Sequence, residues 1–455
     1  MFAKINFHDE FYQKLKLLVL PITMQQFMLA LVSATDAIML GAVSQTSLSA
    51  VSLAGQIQFV LNLFISGISA GSGIMAAQYW GKKDAASIEE VMPIALRTNL
   101  IFSGAFTVFA AVAPEVLMRI FTSDPALIES GAVYLRAVSL SYLLCGISQI
   151  YLILLKNTGY ATVSSRISCT AVVVNIICNA ILIYGLLGLP ALGIQGAAYA
   201  TVAARLVELI WSYLETKQSG RVQVIWKKMF HAADAVLTKD FWRYTTPVLG
   251  AALVWGIAYV SYSVIMGHMG SDAVAANSIT TIAKNMLSCL IRGVSGGAGV
   301  LIGNLLGAGK LDKAKVYGGR LTRMAIVVGM TTGGLLMLIS PLVVRFAPLS
   351  ETAAEYLQYM LIFCGCNIMA QSVNTTVLDG IFCAGGDSKF DMKGNLGAMW
   401  CFSVPFGFFA AFVLKWPVMV VYCIVNLDEI VKIPAVYLHY KKYIWVRNIT
   451  VQEDA

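Results

Sequence analysis

Apolar residues follow one another along most of the chain in runs too long for a half-buried strand or a surface helix. Uncharged, mostly apolar stretches occupy Thr98–Pro114, Ala137–Leu155, Ile167–Ala204, Tyr244–Ser271, Met324–Val344, Tyr356–Leu378 and Gly394–Leu414, and the stretch Leu17–Gly81 carries a single charge, Asp36. A helix needs about 20 mostly apolar residues to cross a membrane. The longest runs therefore hold two spans each, and the pattern predicts twelve transmembrane helices. A membrane β-barrel is excluded, because its strands alternate apolar and polar positions over about 10 residues and give no such continuous runs.

The same pattern occurs twice. Adding 226 to a residue number carries Pro21 to Pro247, Gly41 to Gly267, Ala50 to Ala276, Ser52 to Ser278, Gly67 to Gly293, Gly71 to Gly297, Gly73 to Gly299 and Gly81 to Gly307. A register kept without a gap through two helices marks an internal duplication. The expected fold is therefore all-α and integral to the membrane, with two six-helix bundles in tandem. Each bundle has an even number of spans, so a pseudo-two-fold axis along the membrane normal should relate them. The expected division is an N-terminal bundle over 1–215, a cytoplasmic linker with an amphipathic helix over 216–242, and a C-terminal bundle with a short tail over 243–455. Gly67-xxx-Gly71 and Gly293-xxx-Gly297 fall on equivalent second helices, where small residues let backbones approach closely.

Composition agrees with this reading: 58% of the residues are hydrophobic, 12% are charged and the mean hydropathy is +0.74. The net charge of +8 is informative through its placement. Lys82/Lys83, Lys156/Arg166, Lys217 to Arg243, Lys310 to Arg323 and Lys389/Lys393 lie in alternate loops, whereas the intervening loops carry Arg119, Arg136, Arg345 and Lys415. This is the positive-inside asymmetry, which places both termini in the cytoplasm of a multi-pass cell-membrane protein and requires no nucleic-acid partner. The first apolar run is long enough to span and follows a segment of mixed charge, so it is expected to stay as a helix. The nine cysteines fall within predicted helices without metal-ligand spacing and read as free core thiols. His8, His231, His268 and His439 are scattered, giving no support to a metal site or a catalytic dyad, so no enzyme and no cofactor are expected. The segment Asn304-Leu-Leu-Gly-Ala-Gly-Lys-Leu311 lacks the first glycine and the final Ser/Thr of a phosphate loop.

Asp36 is the residue that demands an explanation. A carboxylate near a helix centre costs about 2.5–3.5 kcal/mol on insertion scales and marks function by default. Desolvation favours the protonated acid and a nearby cation favours the anion, so one buried carboxyl can hold a proton in one conformation and release it in another.

Several segments together resemble the multidrug and toxic compound extrusion (MATE) family. They are Pro21…Gln25/Gln26…Asp36-Ala-Ile-Met-Leu-Gly41, Ala77-Gln-Tyr-Trp-Gly81, Asn175…Asn179…Ile183-Tyr-Gly185, Pro190 to Ala198 with Ala200-Thr201, Ala384-Gly-Gly-Asp387, and the tail Lys442 to Asn448. The resemblance covers almost the whole chain and implies a twelve-helix antiporter that exports organic, often cationic, compounds in exchange for H⁺ or Na⁺. It implies a coupling-ion site at Asp36, Asn175, Asn179 and Thr201, and first-helix bending at Pro21. Asp36 would be the metal-binding carboxylate if the ion is Na⁺, since hard cations take oxygen ligands. The chain departs from the sodium-coupled branch by placing Trp255 where that branch has a glutamate and Ser372 where it has an aspartate. Asp379 lies one or two turns further on. Phe382-Cys383 also replaces a common Leu-Arg pair. These departures lean toward H⁺.

Other intramembrane polar groups admit two readings each. Asp379 is a cavity carboxylate or a group near the cytoplasmic end of its helix. Lys284 and Arg292, eight apart on one helix, repel cations, pair with Asp379 or attract an anionic substrate. Arg205/Glu208, and Asp428/Glu429 with Lys432, read first as structural ion pairs. Trp255, Tyr259 and Tyr262 share a helix face and form either a cavity wall or core packing. Gln25, Trp255, Tyr259, Tyr262, Lys284 and Asp379 are the candidates for the substrate cavity. The expected protein is a monomeric antiporter whose partners are a small-molecule substrate and membrane lipid. The alternatives are a lipid-linked sugar flippase of the same superfamily or an exporter of an anionic or zwitterionic metabolite.

Overall fold

A computed structural model describes residues 9–230, 234–347 and 349–451. His8, His231, the middle of the expected linker and the last four residues lie outside the described residues. Twelve long helical segments follow one another among the described residues. They are α1 (Glu10–Val43), α2 (Gln45–Lys82), α3 (Ala85–Val112), α4 (Pro125–Asn157), α5 (Ala161–Tyr184), α6 (Ile194–Thr216), α7 (Ala235–Gly267), α8 (Ser271–Gly307), α9 (Leu311–Phe346), α10 (Glu351–Phe382), α11 (Ser388–Val413) and α12, which is broken into Val418–Val425 and Asp428–Tyr440. Ten of them are long and apolar enough to cross a membrane on length and composition alone. The two exceptions, α6 and α12, carry Arg205/Glu208 and Asp428/Glu429/Lys432, and in both the charges meet one another. Arg205 donates to both carboxylate oxygens of Glu208 at 3.1 Å, and Ser148 of α4 donates to Glu208 at 2.6 Å. Internal pairing of this kind lets a charged helix enter an apolar bundle.

The long run from Ile167 to Ala204 breaks between Gly185 and Gly193. Gly185 ends α5 in the left-handed conformation at φ 71°, where a Cβ would sit 2.6 Å from the Ala191 nitrogen. Only glycine fits that cap. In the described part of the expected linker a single turn forms at Trp226–Phe230, where Trp226 donates its indole N–H to the Tyr151 hydroxyl at 2.5 Å, and the helix α7 already begins at Ala235.

The chain separates into two compact units that cross the division expected from the halves of the sequence. One unit, here the N-unit, comprises Phe27–Trp80 and Asp84–Leu249; the C-unit comprises the chain up to Gln26, Gly81–Lys83 and everything from Gly250 onward. The first part of α1 thus belongs to the C-unit, and the first part of α7 to the N-unit. The glycine pairs explain the exchange. Within the N-unit, a Cβ on Gly67 would lie 2.8 Å from the Leu249 Cα and one on Gly71 2.7 Å from the Thr245 Cα. Within the C-unit, a Cβ on Gly293 would meet the Thr23 nitrogen at 3.0 Å and one on Gly297 the Val19 Cγ2 at 2.9 Å. Leu249 and Thr245 are the counterparts of Thr23 and Val19 under the offset of 226. Each second helix is therefore grooved by its glycines to seat the opening turns of the first helix from the other repeat.

Each unit has its own apolar interior. In the N-unit Leu40, Ile57, Leu61, Leu135, Tyr142 and Ile183 pack together. In the C-unit Phe11 and Leu15 of α1 join Val294, Leu321, Ile381 and the fully buried Trp445 of the tail. Asp9, just before α1, accepts from Phe11 N–H and pairs with Arg320, which together hold its carboxyl below the usual carboxylate range.

Candidate functional site

Four of the sequence-selected residues meet in the N-unit. Asn175 and Asn179 are one turn apart on α5, so their amides share a face, and that face meets Asp36 of α1 and Thr201 of α6. Asn179 Nδ2 donates to Asp36 Oδ1 at 2.5 Å and to Asn175 Oδ1 at 3.1 Å. Asn175 Nδ2 reaches Thr201 Oγ1 at 3.4 Å, and that hydroxyl donates to the Ala197 carbonyl at 3.0 Å. A continuous polar chain thus joins three helices. Asn175 and Asn179 are buried, whereas Asp36 and Thr201 are partly accessible. The Asn179 Oδ1 is fully buried and accepts no hydrogen bond. An unmet acceptor beside a carboxylate is suited to a proton donor or a cation, because leaving such a group bare costs about 1–3 kcal/mol. Tyr134 of α4 lies within electrostatic reach of Asp36, and the Tyr184 hydroxyl of α5 donates to the Met39 carbonyl at 3.1 Å, fixing α1 against α5. Neither tyrosine carries a signal in the sequence that sets it apart from other aromatic positions.

The remaining candidates lie in the C-unit. Pro21 and Gln25 sit on the part of α1 that belongs there, and α1 continues as helix through Pro21, which has no N–H to give to the preceding turn. Trp255 and Tyr259 stack at 5.5 Å and 17°, while Tyr262 packs against the buried group around Ile265 and Val421. Asp379 is exposed and stands within a stretch of wide, π-type helical turns at Thr376–Phe382. It is within electrostatic reach of Arg292, Asp391, Glu429 and Lys432, and Lys284 is within reach of Asp428 and Glu429. Lys432 contacts Glu429 at 3.0 Å and Asp428 at 3.4 Å, so the pairing expected from the sequence forms. Sequence reasoning missed Asp391, Asn374 and Asn395. Their only signals are the spacing of four between Asp391 and Asn395 and the position of Asn374 in an apolar run.

A duplicated arrangement of twelve helices, most of them long and apolar enough to cross a membrane, with a carboxylate set among neutral oxygens, defines a class of membrane transporters. A family model described as MatE matches residues 21–181 and again 247–409, two segments whose starts are separated by the same 226 residues as the repeat. The chain belongs to the MatE family, and so is a MATE-family, multi-pass membrane transporter. Among curated proteins it is 22% identical over 417 residues to the uncharacterized transporter YisQ of Bacillus subtilis, covering 91% of this chain and 90% of that one. It is 25% identical over 358 residues to the probable multidrug resistance protein NorM of Agrobacterium fabrum, covering 76% and 73%. Among solved structures it shares the fold of a MOP superfamily transporter from Pyrococcus furiosus (TM-score 0.86, 18% identity, 95% of each chain). That transporter is described as having a binding pocket of reverse polarity that suggests a different function. A MATE protein in complex with MaL6 is similar to the same degree (TM-score 0.85, 18% identity, 95% of this chain and 96% of that one).

Proposed function

We propose that this chain is a multidrug efflux antiporter of the cell membrane that exports organic compounds, cationic ones foremost, in exchange for H⁺ or Na⁺. In this reading it acts as a monomer with both termini in the cytoplasm, and Asp36 is the coupling residue. The single observation that carries the reading is the polar chain from Asp36 through Asn179 and Asn175 to Thr201, with the Asn179 carbonyl oxygen left unmet beside the carboxylate. The amide nitrogen of Asn179 serves an ionised Asp36; turned over, the same amide offers its oxygen to a protonated one. Loading of Asp36 would thereby be passed to Asn175 and α6. The match to proteins named for multidrug resistance supports the efflux direction.

H⁺ is the favoured ion, because the chain has Trp255 where the sodium-coupled branch has a glutamate. A sodium ion would be held by Asp36 with the oxygens of Asn179, Asn175 and Thr201, a hard donor set suited to it. Cation binding and substrate binding then oppose one another, because each ligand stabilises a different one of two conformations.

The carboxylates around Lys284 and Arg292 argue against a lipid-linked sugar flippase, since both cations already face acidic groups within the C-unit. Transport in reconstituted vesicles under imposed ΔpH or Na⁺ gradients, with cationic, zwitterionic and anionic compounds, decides both ion and substrate class. Asp36→Asn is expected to abolish gradient-driven efflux while expression is retained. Full efflux by that variant overturns the assignment.

A further inference from the structure

The C-unit contains a second centre of ionisable groups for which the coupling reading has no role. At the break in α12 the short second segment opens with Asp428 and Glu429, and Lys432 lies one turn on. The Lys432 ammonium is buried, and its three N–H bonds meet Glu429 Oε1 at 3.0 Å, Asn395 Oδ1 at 3.2 Å and Asp428 Oδ2 at 3.4 Å. Asn395 in turn donates to Asp391 Oδ1 at 3.1 Å, and Asn374 of α10 donates to Glu429 Oε2 at 2.8 Å. Four carboxylates, those of Asp379, Asp391, Asp428 and Glu429, therefore stand against Lys432 and the two cations of α8, Lys284 and Arg292.

Counted by electrostatic reach, with only Lys432 in direct contact, four carboxylates face three cations. Tyr262 of α7 and Cys383 at the end of α10 also face it and are neutral, and Asp387 beyond Cys383 is engaged by His439 at 2.6 Å. A second observation points to a missing partner. Asn374 is buried, its nitrogen is committed to Glu429, and its Oδ1 accepts nothing. An uncompensated buried carboxylate is costly, and in a protein interior it is relieved by taking up a proton. The backbone beside the centre is irregular on two sides: π-type turns run through Thr376–Phe382 of α10 and Leu396–Ser403 of α11, a distortion frequent at functional sites. Asp379, carried by the first of these stretches, is the member of the group with the most accessible side chain.

We infer that this centre is a second proton-binding site, in which the tethered ammonium of Lys432 fills the place of a mobile metal cation and one exchangeable proton supplies the remaining charge. The proton is shared among the carboxylates of α10, α11 and the second segment of α12. The site is expected to take H⁺ in preference to Na⁺, because the Lys432 ammonium already occupies Glu429 Oε1, Asn395 Oδ1 and Asp428 Oδ2. This holds whether or not Asp36 couples transport.

The test is pH-difference infrared spectroscopy of the full-length protein in lipid, reading the carbonyl band of protonated carboxyl groups. In Asp36→Asn protein a band worth about one carboxyl group is expected to remain, unchanged when Na⁺ replaces K⁺ at constant ionic strength. Adding Asp391→Asn leaves three carboxylates for three cations and is expected to remove it. Lys284→Gln, at a partly accessible position, is expected to leave the fold intact and to add about one further carboxyl equivalent. The inference is overturned if the Asp36→Asn protein shows no titrating band, if the band responds to Na⁺, or if Lys284→Gln leaves it unchanged. A failure of Asp36→Asn to affect transport would count against the coupling reading alone, since these measurements are made in its absence.

Discussion

Asn179 bridges Asp36 and Asn175 with one amide nitrogen, 2.5 Å from the carboxylate and 3.1 Å from the neighbouring amide oxygen. That single group ties the carboxylate of α1 to the helix pair α5 and α6. Asn179→Ala is expected to remove the link while leaving Asp36 in place. A hydrogen bond to a charged group contributes about 1.5–3 kcal/mol. Ion-driven efflux in vesicles should therefore fall at least tenfold, and Asn179→Gln should restore little of it. Efflux within twofold of the unaltered protein would show that the link is dispensable.

The buried pair Arg205 and Glu208, held by Ser148, gives a test of structure separate from transport. Removing one partner of such a pair strands the other, which costs about 3–5 kcal/mol. Glu208→Ala should lower the thermal unfolding temperature markedly. The double variant Arg205→Met/Glu208→Met should recover most of the loss. A mild Glu208→Ala alone would mean that water reaches Arg205.

Much of this arrangement is legible in the sequence, and what is hidden has a physical cause. The spans and their duplication appear because lipid demands long apolar runs and because the offset of 226 is kept. Asp36 appears because it is the only charge between Leu17 and Gly81. Its partners Asn175, Asn179 and Thr201 are neutral, common residues that the family resemblance, and not their chemistry, singles out. Around Lys432 the pairing with Asp428 and Glu429 is legible, and Lys284, Arg292 and Asp379 stand out singly, but that they share one centre with Asp391, Asn374 and Asn395 is hidden because these residues are spread over four helices. The exchange of α1 and α7 is invisible because a repeat establishes which segments are equivalent and says nothing of which copy packs on which.

The glycine seats give opposite expectations at two kinds of position. At Gly67 and Gly71 an added Cβ meets the α7 backbone at 2.8 and 2.7 Å, so Gly71→Ala should destabilise by the overpacking cost of about 1–3 kcal/mol. At Gly55 nothing lies within 4 Å, and Gly55→Ala should instead stabilise α2 by about 0.5–1 kcal/mol. Thermal unfolding of the two variants should shift in opposite directions. A shift of the same sign in both would dissolve the distinction.

The carboxyl of Asp9, held low first by the Phe11 N–H and then by Arg320, links stability to acid. A carboxyl depressed in the folded chain contributes fully above its ordinary titration range, and the contribution disappears as pH falls through the depressed range. Comparing Asp9→Asn with the unaltered protein should therefore show a difference in unfolding temperature at neutral pH that closes on acidification. Because the pair is partly accessible to solvent, high salt should shrink it as well. A difference that persists unchanged into acid would show that the carboxylate charge plays no part.

The buried Trp445 anchors the tail, and its ring meets the position of a Cβ on Gly318 at 2.7 Å and stacks on Tyr440 at 5.7 Å. Trp445→Ala should cost about 3–5 kcal/mol, as for other buried large aromatic side chains. Limited proteolysis should then cleave the tail while the helices remain protected. A tail equally resistant in the variant would place its anchorage elsewhere.

The traded opening turns of α1 and α7 set the order in which the molecule can be made. When synthesis has passed α6, the N-unit still lacks the segment that fills the grooves of Gly67 and Gly71, and it is completed only when the ribosome has added the residues up to Leu249. The turns from Glu10 to Gln26, the first helical turns to be made, must wait for α8 before they find theirs. Neither half of the duplicated chain is then a finished object, and a cut between the halves should yield fragments that mature only when both are present in the same membrane.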